Sequence, residues 1–246
     1  MSEIGKEFME FTKYKHESES DQSKKLPQPP LELAYDITAN AIKLPLPDSI
    51  KLGNTPLIEA IVNRRSTRQY ADTALTLEEL SYLLWCTQGV KKTKPGVATL
   101  RTVPSAGCRH AFETWLLINN VEGINPGLYR FVATEHKLVE VTAEPDIKDK
   151  LVAACLGQGF VGTSAATFIW AADIYRMEWR YVERSYRYIH LDAGHVCQNL
   201  YLAAESIDCG VCAIAAFDDD EINGVLKLDG EKQFVVYVGT VGKKLE

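Results

Sequence analysis

Apolar residues recur at helical spacing in two stretches that follow the first 54 residues. Thr55 and Pro56 predict the start of the first helix, because threonine caps helix N-termini and proline at the first helical position loses no hydrogen bond. The apolar face of this helix consists of Leu57, Ile58, Ile61 and Val62. The capping box formed by Thr76 and Glu79 predicts the start of the second helix, and Gly89 predicts its end.

The rest of the chain alternates between strand and helix patterns. Short apolar runs predict strands over residues 114–118, 127–132, 138–141, 167–172 and 234–238. Helical spacing predicts helices over residues 146–156, 175–207 and 218–226. Gly194 is expected either to break the long helix or to pack closely, and residues 91–101 are expected to form a polar loop. Hairpins among interleaved strands and helices indicate an α+β domain around one sheet.

Two regions of different character divide the chain. Residues 18–30 are polar and then proline-rich, and residues 31–53 carry two further prolines. Such segments form no core element, so residues 1–54 are predicted to be an irregular N-terminal arm and residues 55–246 the domain. A chain of 246 residues is long enough for one substantial core or two small ones.

Composition and charge exclude several classes of protein. The chain is 46% hydrophobic and 24% charged, as is usual for globular proteins, and its net charge is -6. No global basic field attracts nucleic acid or an anionic membrane, so an anionic ligand requires a local basic cluster. No apolar run approaches the roughly 20 residues that cross a bilayer, and no signal peptide is visible.

The six scattered cysteines are expected to be reduced thiols of a cytoplasmic protein. Cys209 and Cys212 have the spacing of a metal or redox pair. However, no further pair of this kind follows, and closed zinc sites need about four ligands. No metal site is therefore predicted.

Residues 64–68 are the first of three candidate binding elements: Arg64, Arg65, Ser66, Thr67 and Arg68. Three guanidinium groups and two hydroxyls suit a phosphate, because arginine forms forked, charge-assisted bonds to phosphate oxygens. The alternative is a solvated basic helix end that offsets the helix dipole.

The other two elements are a small-residue turn and the end of the chain. The turn consists of Pro104, Ser105, Ala106 and Gly107, and it allows the backbone to approach a flat ring closely. An ordinary tight turn explains it equally well. Near the C-terminus, two glycines precede Lys243 and Lys244, which either close over a phosphate or belong to an exposed tail.

The order of these elements resembles the nitroreductase superfamily, whose members bind FMN through an Arg-Arg-Ser-x-Arg element, a Pro-Ser-Ala turn and C-terminal basic residues. The matching residues are Arg64, Arg65, Ser66 and Arg68, then Pro104, Ser105, Ala106 and Gly107, then more loosely Lys243 or Lys244. Residues 180–188, 192–200 and 213–219 are similar to the SagB-like dehydrogenases of that superfamily. The similarity covers residues 55–244.

The resemblance implies a mainly antiparallel sheet flanked by helices, assembled as a homodimer with two FMN molecules at the subunit interface. It places Arg64, Arg65, Ser66 and Arg68 at the FMN phosphate and ring, with Arg65 or Arg68 favouring the reduced ring. Residues 104–106 reach the partner's flavin. Ala215 and Ala216 are implied to lie at the flavin edge, with a backbone N–H bonding N5.

This chain departs from the family pattern at three places. Ala215 and Ala216 stand where some relatives carry Glu-Gly, so the N5 contact must come from the backbone. Residues 108–110, Cys-Arg-His, replace a glycine and an aromatic-proline pair. The Lys-Tyr pair that azoline-oxidising relatives use is replaced by Arg180 and Tyr181.

The implied activity is ping-pong hydride transfer at flavin N5, with NAD(P)H as donor and a small aromatic or quinone-like acceptor. Tyr181 is the candidate for proton exchange with the substrate, helped by the positive charge of Arg180. A core or interface residue with a satisfied hydroxyl is the alternative for Tyr181. The alternative functions are a SagB-like azoline dehydrogenase, a flavin-containing non-catalytic subunit of a peptide-modification complex, and a phosphate-binding regulator without flavin.

Overall fold

A seven-stranded antiparallel sheet forms the centre of the molecule, which a computed structural model describes over residues 3–46 and 51–245. Its strand order is β1-β6-β5-β4-β7-β9-β8, and β2 and β3 form a separate hairpin. The strands are β1 Ala41–Lys43, β2 Val90–Lys94, β3 Ala98–Arg101, β4 Phe112–Ile118, β5 Gly127–Val132, β6 Lys137–Thr142, β7 Ala166–Asp173, β8 Cys209–Ile214 and β9 Gln233–Lys243. The predicted α+β fold with a mainly antiparallel sheet is confirmed.

Helices cover both faces of this sheet. They are α1 Ile4–Phe11, α2 Leu57–Asn63, α3 Leu77–Gln88, α4 Ile147–Ala154, α5 Phe160–Thr163, α6 Tyr175–Tyr181, α7 Ser185–Glu205 and α8 Asp219–Val225. Side chains of a strand alternate between faces, so Phe168 and Trp170 of β7 join the core beneath α3 and α7. Ile169 and Ala171 join the second core, beneath α4 and α8.

The predicted start and end of α3 are confirmed. Thr76 Oγ1 accepts from the Glu79 backbone N–H at 3.1 Å, and Glu79 Oε2 accepts from the Thr76 backbone N–H at 3.0 Å. Gly89 is the C-cap. This capping box fixes the helix that packs against α7.

Several predicted elements are wrong or incomplete. Pro56, rather than Thr55, is the N-cap of α2. Residues 91–101 form most of the β2–β3 hairpin rather than a loop, because Thr93 pairs with Thr99 across it. Strand β8 was not predicted.

The predicted long helix over residues 175–207 is broken at Val182. Its φ of 43° lies in the left-handed region, which a β-branched residue rarely adopts, and a 3-10 turn over Val182–Arg184 separates α6 from α7. Gly194 lies within α7 without breaking it. Apart from its chain neighbours and the backbone of its own helix, no atom of the described residues lies within 4 Å of the position that a Gly194 Cβ would occupy, so Gly194 does not pack closely against another element either.

The N-terminal segment is not irregular throughout. It contains α1, and β1 pairs with β6 at the edge of the sheet. Arg184 Nη1 donates to Thr12 O at 2.8 Å, and Trp179 Nε1 donates to Leu26 O at 3.1 Å. The segment therefore lies along α6 and the start of α7, and the proposed boundary after residue 54 stays a prediction.

A buried carboxylate joins this segment to the sheet. Glu113 of β4 is only 3% exposed, and it accepts from Arg130 Nη2 at 2.8 Å and from Arg176 Nη2 at 2.5 Å. The Leu33 backbone N–H also donates to it at 2.9 Å. Burial raises the pKa of the Glu113 carboxyl, but the two guanidinium groups outweigh burial and lower it.

No helix among the described residues combines the length and apolar character that crossing a membrane requires.

Candidate cofactor and substrate site

The basic segment over residues 64–68 lies against the outer edge of β8. Ser66 forms a parallel bridge with Val211, and the Thr67 backbone N–H donates to Val211 O at 2.8 Å. A Cβ on Gly210 would lie 2.5 Å from Thr67 Oγ1, so this close approach requires glycine. The sheet edge thereby holds the segment in place.

Tyr201 of α7 connects the basic segment to the end of β8. Its hydroxyl lies 3.0 Å from Ser66 Oγ and accepts from the Ala213 backbone N–H at 2.9 Å. Arg64 lies over its ring, 5.3 Å from the centroid. Tyr201 was not predicted as a site residue because no local pattern distinguishes it from the other tyrosines of the helix. Only its contacts reveal it.

The predicted flavin-edge residues lie next to this region. Ala215 and Ala216 are exposed and directly follow β8. Gln158 Nε2 donates to Ala216 O at 2.8 Å, and Arg68 lies 6.0 Å from the ring centroid of Phe160, two residues further along from Gln158. The basic segment and residues 215–216 therefore border one region of the surface.

The charges at this end of the molecule are unequally compensated. Within the described part of the chain, the arginines that form ion pairs are Arg130 and Arg176, so the three arginines of residues 64–68 face no carboxylate. Lys243 instead pairs with Glu79, and Lys244 pairs with Glu205 at 2.5 Å. The arginines are available to an anion, whereas the two lysines are already paired.

The small-residue turn packs against α6 and α7. Ser105 Oγ accepts from the His110 backbone N–H at 2.9 Å, and the Ala106 backbone N–H donates to Asp192 Oδ1 at 3.3 Å. Gly107 has a φ of 57°. A Cβ there would lie 2.5 Å from Tyr181 Oη, so glycine permits the tyrosine to reach the turn. Pro104 is exposed.

The predicted catalytic pair therefore lies against the small-residue turn over residues 104–107. The side chains of Arg180 and Tyr181 both approach Gly107. Burial raises the pKa of the Tyr181 phenol, while Arg180 and Arg109 oppose this rise. Tyr181 is protonated at neutral pH and can donate a proton, and the two cations stabilise the phenolate that remains.

Asp192 is a further polar group at this turn. Burial raises the pKa of its carboxyl, and its Oδ2 atom has no hydrogen-bond partner among the residues described. Its other oxygen holds Ala106. From the sequence, Asp192 is notable only as part of residues 192–200, which resemble the SagB-like dehydrogenases.

The predicted site residues thus form two groups within one chain. The turn contacts Asp192, whereas the basic segment contacts Tyr201, and these two residues are nine positions apart on α7. At 1.5 Å per residue the two groups are about 14 Å apart along the helix axis. The structure brings the members of each group together and keeps the groups apart.

The sequence profile of the nitroreductase family matches residues 61–243, most of the chain. The chain therefore belongs to the nitroreductase family, and it is an oxidoreductase enzyme. FMN is the cofactor of this family, as the sequence resemblance implied.

Individual relatives agree with this membership. A protein of Methanocaldococcus jannaschii that bears the name nitroreductase is 34% identical over 83% of this chain and 97% of its own length. The trifolitoxin operon protein TfxC of Rhizobium leguminosarum bv. trifolii is 25% identical over 87% of this chain, which spans 62% of TfxC.

A solved structure shows the same fold. The crystal structure of a protein from Ralstonia eutropha, also named as a nitroreductase, superposes with a TM-score of 0.69 at 25% identity. The match covers 90% of this chain and 95% of that one.

The residues at the basic end fit FMN chemically. An FMN phosphate is a dianion that requires cations and hydroxyl donors, and the arginines of residues 64–68 together with Ser66 supply both. Exposed backbone at Ala215 and Ala216 leaves room for a flat ring. The donor set therefore suits the family cofactor.

Replacing Gly107 with alanine is expected to lower turnover at least about tenfold, because the new Cβ displaces Tyr181 and small misplacements in an active site are costly. Gly157→Ala is the matched control, since Gly157 also has a positive φ but no atom within 4 Å of its Cβ position. Turnover per folded protein is measured for both variants. Equal losses in both would show that backbone strain alone is responsible.

Proposed function

We propose that this protein is an FMN-dependent oxidoreductase that transfers a hydride at flavin N5 in a ping-pong reaction. NAD(P)H is the donor, and the acceptor is a small aromatic or quinone-like molecule. The observation that carries the proposal is the division of the site residues into two groups. Among the described residues, the arginines of residues 64–68 form no ion pair and lie toward the C-terminal end of α7, whereas the proton donor Tyr181 lies toward its N-terminal end.

The first group holds the cofactor. Arg64, Arg68 and Ser66 bind the FMN phosphate and ring, and Arg65 adds positive charge. Lys243 and Lys244 contribute less, because their carboxylate partners already compensate them. The exposed residues Ala215 and Ala216, which follow β8, would hold the flavin edge through their backbone.

A second copy of the chain completes the site. The turn over residues 104–107 lies too far along α7 to meet the basic segment of its own chain, so it reaches the flavin of the partner. Exposed apolar residues supply a surface for this homodimer: Leu57, Ile58, Ile61 and Val62 of α2, and Leu191 of α7.

Bound FMN supplies the two-electron chemistry, and the chain supplies charge and a proton. The Tyr181 hydroxyl donates its proton to the reduced acceptor, and Arg180 stabilises the phenolate. Donor and acceptor occupy the same open face in turn.

Replacing Arg64 and Arg68 with alanine is expected to weaken FMN binding at least about a hundredfold. Each lost charge-assisted hydrogen bond costs about 1.5–3 kcal/mol. The dissociation constant is measured by fluorescence titration of the apoprotein. The control removes two exposed lysines of α4, Lys148 and Lys150, by the same substitution. If the Arg64 and Arg68 double variant retains FMN as well as the control does, the assignment of residues 64–68 to FMN binding is wrong.

Replacing Leu191 with arginine is expected to dissociate the homodimer and release FMN at the same time, because a charge then enters an apolar interface. The interface is expected to exceed about 2,000 Å² of total buried surface. Sedimentation and flavin absorbance are measured together, with Leu156→Arg as the control at another exposed leucine. A stable monomer that keeps its FMN contradicts the shared site.

A second candidate function is action on a peptide, as an azoline dehydrogenase or as a non-catalytic flavin subunit of a peptide-modification complex. The similarity to the trifolitoxin operon protein TfxC favours it. The Lys-Tyr pair that azoline-oxidising relatives use is replaced here by Arg180 and Tyr181. This replacement favours the first candidate function.

Anaerobic mixing separates the candidates. We expect NADH or NADPH to abolish the visible absorbance of the oxidised flavin, and a quinone or nitroaromatic to restore it. If neither nicotinamide reduces the flavin but an azoline peptide does, the dehydrogenase alternative replaces the first proposal. If NADH, NADPH and the azoline peptide all fail to reduce the flavin, the remaining candidate is a non-catalytic flavin subunit of a peptide-modification complex.

A further inference from the structure

Two arginines converge on Gly107 beside Tyr181. Arg109 Nε donates to Gly107 O at 3.2 Å, and Arg180 Nε lies 3.3 Å from the position that a Gly107 Cβ would occupy. Arg109 is further fixed by a bond from Nη2 to Val97 O at 2.9 Å and by the ring of Trp179, whose centroid lies 5.3 Å away. Arg109 therefore has a defined position, and Arg180 lies beside the same turn.

No carboxylate compensates these two charges within the described ranges, 3–46 and 51–245. The hydrogen-bond partners of Arg109 are carbonyl oxygens, and neither Arg109 nor Arg180 forms an ion pair. Burial lowers the pKa of Arg109, and the nearby charge of Arg180 lowers it further. Guanidinium groups stay charged under such repulsion, so an anion placed between them relieves it.

The neighbouring hairpin extends this positive region. Its tip supplies Val97 O to Arg109, and its outer surface carries three exposed lysines: Lys91, Lys92 and Lys94. Ion pairs among the described residues involve other lysines. In a chain with a net charge of -6, this local excess of positive charge attracts anions to one place.

We propose that Arg109 and Arg180 form an anion site that selects acceptors carrying a carboxylate group. A planar carboxylate matches the fork of a guanidinium group, and its position beside Tyr181 aligns the rest of the acceptor with the proton donor. The inference rests on the proposed function, because it names the class of acceptor that the site takes. It makes Arg109 a specificity-determining residue.

The test compares 4-nitrobenzoate with its neutral methyl ester. Arg180→Met is expected to lower kcat/KM for the anion relative to the ester by about tenfold or more, since a bond to a charged group is lost. Comparing each acceptor between wild type and variant cancels its intrinsic reactivity. Arg180→Lys keeps the positive charge and is expected to retain part of the preference for 4-nitrobenzoate over its ester. If Arg180 acts in catalysis alone, Arg180→Met lowers kcat/KM equally for the anion and for the ester, and this result overturns the proposal.

A binding measurement provides a readout apart from turnover. Calorimetric titration of the purified holoprotein with benzoate is expected to show binding that Arg109→Met and Arg180→Met abolish. Lys148→Met, which removes one charge from an exposed position on α4, is expected to retain it. Melting curves show whether the buried Arg109 variant folds; if it does not, exposed Arg180 carries the test.

Two further outcomes have distinct meanings. If Arg180→Met alters the preference for NADPH over NADH but not that between the acceptors, the anion is the donor's phosphate, and the acceptor proposal is overturned. If the protein reduces neither acceptor, the proposed function fails while the benzoate titration still decides the anion site. Absence of benzoate binding to the wild-type protein overturns the inference.

Discussion

The buried ion pairs of Glu113 hold three parts of the molecule together. A carboxylate in the middle of a sheet is costly to desolvate, and the structure compensates it with Arg130 of β5 and Arg176 of α6. Arg130 also donates to Leu33 O and Ala34 O, both at 2.7 Å. The N-terminal segment, the sheet and α6 therefore share one charge cluster. Breaking it would leave a charge buried without a partner.

The position of Tyr181 depends on the break between α6 and α7. In a continuous helix, residues seven apart lie about 10 Å apart along the axis. Here the ring centroids of Tyr181 and Tyr188 are only 4.9 Å apart, because the chain turns at Val182. Tyr14 of the N-terminal segment places its hydroxyl 2.7 Å from that of Tyr188. An unfavourable backbone conformation at one valine is thus held by contacts on both sides, and it directs the tyrosine toward the turn.

Much of the fold follows from local sequence signals, and much of the site does not. The capping box of Thr76 and the apolar runs of the central strands act over a few residues, so α3, β4, β5 and β7 were predictable. The resemblance to the nitroreductase superfamily predicted the antiparallel sheet and the FMN cofactor. The role of Tyr201 and the pairing of Lys243 with Glu79 arise from residues far apart in the sequence, and no single-sequence pattern encodes such contacts. The break at Val182 was not predicted because neither glycine nor proline marks it in the sequence.

The basic segment also has a consequence for solubility. Strand β8 is an outer strand of the sheet, and residues 66–67 cover part of its free edge through backbone bonds to Val211. Unpaired strand edges with apolar side chains are templates for aggregation between chains. The segment that carries Arg64, Arg65 and Arg68 therefore also shields this edge. Loosening the segment would expose a strand edge that contains Val211 and Ile214, so the contacts of residues 66–67 with Val211 protect the protein against self-association.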